Sequence, residues 1–138
     1  MNLIQVLEIT FKLEATACIF KNCQSHEEFI IFLIYRNKQN NIQYFFEQLY
    51  LQLSEFALLN LRIILLGYFN LDPWKNDNNP RYYIPIQQAF ELHMKSNFST
   101  HIHAGVLDLI FDTDSQRNHA WEWLPTPFSD HFIIFYGL

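Results

Sequence analysis

Residues 29–35 read FIIFLIY, an unbroken apolar run built mostly from Ile and Phe. A run this short and free of charge suits a strand buried on both faces of a sheet. Residues 62–66 (RIILL), 106–111 (VLDLIF) and 132–136 (FIIFY) have the same character. Between the first and second of these runs, apolar side chains recur at Ile42, Phe45, Phe46, Leu49, Leu53, Phe56 and Ala57. Those spacings of three and four predict a helix over 42–58 with one face turned to a sheet.

The rest of the chain fills in around this frame. Residues 3–13 alternate imperfectly and read as a strand, and the mixed polar stretch 14–27 reads as a loop. The polar turn 36–41 offers an Asn to cap the helix. Gly67 is expected to end the strand 62–66. Pro73, Pro80 and Pro85 predict a long irregular loop over 71–85. Ile86, Ala89, Phe90, His93 and Met94 then mark a second, shorter helix, and 119–124 another strand. The order is β-β-α-β-α-β-β-β. It predicts an α/β fold with helices on one side of a mixed sheet and a second sheet or sheet fragment behind. A flavodoxin-like arrangement is the alternative; it accounts less well for strands that outnumber helices.

The chain has 138 residues, enough for one domain. Half the residues are apolar and fourteen are Phe, which excludes a disordered chain. That excess is expected to leave apolar surface exposed and open to self-association. The formal charge is -5 and the nine Lys and Arg residues are scattered, which argues against tight nonspecific DNA binding by this chain alone. A metal-bridged phosphate substrate remains compatible with that charge. Cys18 and Cys23 are too few for a disulfide framework and are expected to be reduced. Glu8 and Glu14 interrupt the N-terminal apolar stretch, so it is not a signal peptide, and no run reaches transmembrane length. The expectation is a soluble, intracellular chain with no membrane partner.

Two acidic positions stand out chemically. Asp130-His131 could supply a carboxylate to hold a cation and an imidazole to handle a proton during phosphodiester hydrolysis. Ser129-Asp130 could equally be a polar turn before a strand. Asp108 interrupts an apolar strand and needs a partner to offset its burial. His131 is the natural candidate, since a carboxylate bound to an imidazole fixes its tautomer; the alternative is an edge position facing solvent. Gly67-Tyr68-Phe69-Asn70 leaves a buried strand at the end where α/β folds place their sites. Asn70 could hold a phosphate oxygen or serve as an ordinary turn residue. Arg36, beside Tyr35, could contact phosphate or lie at a solvated strand end. His101 and His103 suggest a metal pair, but no third ligand has clear spacing, and two partly satisfied histidines fit as well.

The ordered set of residues 63–70 (IILLGYFN), 107–111 (LDLIF) and 129–132 (SDHF) resembles the C-terminal half of an endonuclease/exonuclease/phosphatase domain, the exonuclease III-like family. Residues 45–49 (FFEQL) resemble the start of the helix before the family's Gly-Asp-Phe-Asn strand. Residues 99–111 (STHIHAGVLDLIF) are similar to the Thr-His and Leu-Asp-Leu-Ile-Phe stretch of endonuclease domains in non-long-terminal-repeat retrotransposons. The resemblance implies a partial four-layered α/β sandwich, with mixed sheets, flanking helices and the N-terminal half missing. It implies Asp130 as a Mg2+-associated carboxylate, His131 acting at the scissile phosphate and Asp108 orienting His131. Asn70 and Tyr35 would hold the phosphate of DNA or another phosphodiester substrate. A nuclear location would fit such a substrate.

The pattern departs from the family at two points. Tyr68 stands where the family has the aspartate of Gly-Asp-Phe-Asn. The early Asn and the metal-binding Glu have no counterpart, since Glu8 and Glu14 lie in different contexts. The expectation is a truncated or degenerate domain spanning residues 1–138, poorly active or inactive alone. A nuclease half completed by another chain and a noncatalytic binding module are the alternatives.

Overall fold

The computed structural model describes residues 1–6, 13–96, 99–103, 105–116, 121–131 and 133–136. The described elements are β1 (Asn2–Val6), β2 (Glu14–Lys21), β3 (Glu28–Tyr35), α1 (Ile42–Ala57), β4 (Arg62–Tyr68), α2 (Pro80–Phe90), β5 (His93–Met94), β6 (Asp108–Asp112), β7 (Trp121–Leu124) and β8 (Ile133–Tyr136). A six-stranded sheet runs β1-β2-β3-β4-β6-β5, and β7 and β8 form a two-stranded sheet. Only β3 and β4 pair in parallel among the described strands, joined by α1; the other pairings are antiparallel. The result is a layered α/β sandwich with a mixed sheet.

Alternation divides the large sheet into two faces. Ile30, Phe32, Ile34, Ile63, Leu65, Leu109 and Phe111 point to one face and form the core with α1 and α2. The α1 stripe of Phe45, Phe46, Leu49, Leu53 and Phe56 is buried there. The Asn41 side chain accepts from the Tyr44 N–H at 2.9 Å and caps the first turn.

The opposite face carries β7 and β8. The Tyr136 hydroxyl of β8 donates to Asp112 Oδ2 at 2.7 Å. Arg62 on β4 donates to both oxygens of the same carboxylate, at 2.9 and 2.6 Å. This buried cluster ties the small sheet to the large one. Beside it the face is open: a hollow of about 710 Å3 runs across β2, β3, β4 and β6 to β8, with Leu33 and Tyr35 each 44% exposed at its β3 side.

Four sequence expectations differ from the structure. Residues 14–21 are β2, fully paired with β3, rather than loop; Ala17 is buried in the core and Ala15 packs against it, but both are too small to mark a strand by hydrophobicity. β4 continues through Gly67 to Tyr68, because Gly67 lies inside the ladder at φ 152°. A Cβ there would land on the Ile34 carbonyl oxygen, so only glycine fits. The second helix begins at Pro80, where the missing N–H costs nothing, and it contains Pro85. It ends at Glu91 in the left-handed conformation, so His93 and Met94 belong to β5. Residues 7–12 of the first expected strand, 119–120 of the 119–124 strand and residue 132 of the last lie outside the described residues.

Candidate active site at the ends of β4 and β6

Register builds the site. Glu14 pairs with Tyr35, Tyr35 with Tyr68, and Tyr68 with Asp108. The row crosses four strands on the face away from the helices. Asp108 Oδ2 lies 2.8 Å from His131 Nδ1. An ionised carboxylate only accepts, so Nδ1 carries the proton and Nε2 keeps its lone pair. The Tyr68 ring meets the His131 ring edge to face at 4.7 Å and stacks on Tyr35 at 5.5 Å.

The loop before β6 brings in a second imidazole. Thr100 is fully buried, and its Oγ1 accepts from the N–H groups of Leu107 and Asp108, each at 3.0 Å. Ile102 donates its N–H to the Asp130 carbonyl at 2.9 Å, and His101 bridges His131 through the backbone. His101 Nε2 is thereby 2.9 Å from Asp130 Oδ2. The His103 N–H donates to His101 Nδ1 at 3.2 Å, which leaves the proton on Nε2 to donate to Asp130. That hydrogen bond, with the nearby imidazoles, holds the exposed Asp130 carboxyl below the usual carboxylate range. His131 Nε2 faces the other carboxylate oxygen at 3.8 Å.

Tyr68 behaves differently from the acid it replaces in the resemblance. Burial pushes its hydroxyl pKa up, and Asp108, Tyr35 and Asp130 push the same way, against the opposing effect of Arg36. At neutral pH it is a hydrogen-bond donor and no base.

The structure corrects the alternative of a solvated strand end for Arg36. Its side chain is 2% exposed. Nε donates to the Phe69 carbonyl at 2.6 Å, Nη1 to that of Asn40 at 3.1 Å, and Nη2 to that of Asn70 at 2.7 Å. The guanidinium therefore holds the turn after β4 in place and does not lie at a solvated strand end. Asn70, at φ 50°, is anchored through its carbonyl, and its side-chain amide takes no hydrogen bond among the described residues. Asp72 was not singled out by sequence. Its carboxylate accepts from the N–H groups of Trp74 and Val106, at 2.8 and 3.0 Å, and fastens the loop after β4 to the start of β6. The sequence offers His101 as half of a metal pair with His103, and the structure brings its Nε2 to Asp130; Thr100 escapes a sequence reading of the site, because its partners lie elsewhere in the chain.

The donors around Asp130 test the Mg2+ that the resemblance implies. Mg2+ prefers oxygen ligands in octahedral array. Among the described residues, the groups that converge within 4.8 Å are the Asp130 carboxylate and the His101 and His131 imidazoles. The neighbouring carboxylate, Asp108, is engaged on His131. This donor set does not fit Mg2+.

The helix-covered mixed sheet with a second small sheet behind it has the fold of solved endonuclease/exonuclease/phosphatase-type domains. The endonuclease domain of TRAS1, a telomere-specific non-LTR retrotransposon, matches with a TM-score of 0.78 at 16% identity, over 98% of this chain and 65% of that one. The human Nocturnin catalytic domain with bound sulfate anion matches with a TM-score of 0.66 at 18% identity, over 99% and 60%. An endonuclease/exonuclease/phosphatase family protein from Bacteroides thetaiotaomicron matches with a TM-score of 0.60 at 17% identity, over 87% and 53%. The chain thus spans between 53% and 65% of the length of these solved chains. No family model matches the sequence, and no curated protein does. No described helix is long and apolar enough to cross a membrane.

Proposed function

We propose that this domain carries a reduced phosphodiesterase site, one that keeps the oriented imidazole of a phosphate-processing centre but hydrolyses poorly on its own. The observation that carries the reading is the 2.8 Å Asp108–His131 pair with Asp130 beside it. Asp108 fixes the His131 tautomer, so Nε2 is free to take or return a proton, or to contact a phosphate oxygen after protonation. Asn70 and Tyr35 are the further phosphate contacts. The weak step is water activation. Tyr68 occupies the row position next to Asp108, and its raised pKa keeps the phenol protonated. Loss of a positioned base costs about two to four orders of magnitude in rate. Mg2+ adds little here, because Asp130 is its one available carboxylate in the cluster.

DNA, with the nucleus as the matching compartment, is the substrate that a retrotransposon-type endonuclease domain favours. The net charge of -5 makes the isolated chain a weak nonspecific binder. The open hollow supports a second reading, in which another chain covers that face and completes the site. The deciding experiment incubates the chain with supercoiled plasmid and abasic-site DNA in Mg2+. No appreciable cleavage is the expected result. Robust cleavage that disappears in His131→Ala would refute the reduced-site reading.

A further inference from the structure

We propose that His101, Asp130 and His131 form a binding site for a divalent d-block cation of the Zn2+ type, selective against Mg2+. The site needs no phosphodiester hydrolysis and stands or falls separately from the function proposed above.

Three observations converge on it. First, one ligand atom from each residue lies within 4.8 Å of the others. With metal–ligand bonds of about 2.0 Å, tetrahedral donors sit roughly 3.3 Å apart. His101 Nε2 is 2.9 Å from one Asp130 oxygen, and His131 Nε2 is 3.8 Å from the other. Small side-chain shifts therefore close the set, with a fourth position left for water.

Second, the histidines are held by the backbone. His101 and His131 form an antiparallel bridge, and Ile102 N–H bonds the Asp130 carbonyl at 2.9 Å. The buried Thr100 anchors the His101 loop to the start of β6. The two rings come to rest 5.0 Å apart with their planes nearly perpendicular. Little ordering of the backbone is left for the ion to impose.

Third, His131 already has an outer partner. Asp108 accepts the Nδ1–H hydrogen bond at 2.8 Å and leaves the Nε2 lone pair on the side of Asp130. A carboxylate behind a ligating imidazole fixes the ring and strengthens it as a donor. His101 requires one adjustment. Its proton, now on Nε2, must move to Nδ1, at the expense of the 3.2 Å contact from the His103 N–H. That exchange is a change of tautomer with no net proton released.

Two imidazoles and one carboxylate suit Zn2+, Co2+ or Ni2+ and leave Mg2+ short of oxygens. An ion held there also withdraws His131 Nε2 from any substrate.

The test is calorimetric titration of the whole chain with Zn2+, with the visible absorption of added Co2+ as an independent report of coordination. One Zn2+ per chain is expected, undisturbed by millimolar Mg2+. His101→Gln and Asp130→Asn should each weaken binding at least tenfold on the order expected for a lost ligand or orienting group, and Asp108→Asn by about 10- to 100-fold. His26→Ala, an exposed histidine at the far end of β3, should leave it unchanged. Circular dichroism checks that each variant folds, and His101→Ala provides a second truncation at the same ligand. Mg2+ that competes at similar concentration, a His101→Gln chain that binds as tightly as the parent, or an equal loss in His26→Ala would each overturn the proposal.

Discussion

Asp108 Oδ2 lies 2.8 Å from His131 Nδ1 although 23 residues separate them in the chain. The pair joins the large sheet to the segment that leads into β8. Asp108→Ala leaves the imidazole free to exchange tautomers, whereas the parent holds the proton on Nδ1. Nitrogen-15 shifts of the His131 ring at neutral pH read this directly. We expect one tautomer in the parent and a mixture in the variant. A mixture in the parent would mean that the carboxylate does not orient the ring.

Tyr68→Asp is not expected to restore hydrolysis. The new carboxylate would sit in register opposite Asp108. Like charges at a cross-strand pair repel and raise each other's pKa. The change also removes the ring that packs on Tyr35 and His131. We expect plasmid cleavage to stay within about tenfold of the parent level, far short of the two to four orders that a positioned base contributes. Recovery of cleavage by this single change would show that Tyr68 alone limits the site.

Asp112 is fully buried and receives two hydrogen bonds from Arg62 and one from Tyr136. Burial pushes its carboxyl up, but the Arg62 and Tyr136 hydrogen bonds, the Asp114 N–H and the Arg62 charge outweigh it, and the net pKa is lowered from 3.8. A lowered acid contributes stability in full above its unfolded pKa and loses it as pH falls through the folded value. The contribution is therefore intact at neutral pH and fades below about pH 4. Asp112→Asn removes the nearer counter-charge of the buried Arg62 guanidinium and leaves it the Glu27 carboxylate at 3.9 Å. We expect a loss of about 3 kcal/mol at pH 7 in urea denaturation. The variant should also show a shallower loss of stability with acid. A stability within 1 kcal/mol of the parent, taken as roughly the limit for an exposed ion pair, would contradict this account.

The sequence exposed some of this architecture and concealed the rest for physical reasons. The runs at β3 and β4 and the α1 stripe are legible because large side chains mark both period and burial. Residues 15 and 17 of β2 are alanines, which fill the core beside Ile34 and Phe32 without announcing a strand. Pro80 and Pro85 read as loop markers, yet one begins α2 and the other costs it a single bond. At the site, Asp108 draws attention because an acid inside an apolar strand needs a partner. His101 is legible as a possible metal ligand beside His103, but its contact with Asp130 is not, since it spans 29 residues and depends on how the Thr100 loop docks. Arg36 misleads most. A cation after a strand looks solvated, and the carbonyls that hold it come from the turn after β4 and from Asn40, ahead of α1.

Arg36 accordingly offers a stability test. Arg36→Ala strands the buried Phe69 carbonyl and removes the donors to the part-buried Asn70 and Asn40 carbonyls. A buried polar group without a partner costs about 1–3 kcal/mol. Arg36→Lys keeps the charge but cannot reach the carbonyls with the same fork of donors. We expect Ala to lower stability by about 3 kcal/mol and Lys to recover less than half of that. A fully stable Arg36→Ala chain that lost affinity for phosphate esters would give Arg36 the substrate-contact role instead.

The open face above β2 and β3 is expected to drive self-association. Leu33 and Tyr35 are each 44% exposed on a hollow lined largely by apolar side chains, while the other face of the same strands is sealed by α1. Exposed apolar surface of this kind associates with whatever covers it, and a second copy is always at hand in a concentrated solution. Sedimentation velocity should show an average mass that rises with concentration. Leu33→Lys should lower it, because the long side chain keeps its ammonium in water and brings a charge to the middle of the patch. The same variant should bind less of a hydrophobic dye and keep the parent circular dichroism. A parent that stays monomeric at high concentration and binds no dye would rule out this face as a contact surface. A variant that associates as strongly as the parent would assign the contact to a different part of the surface.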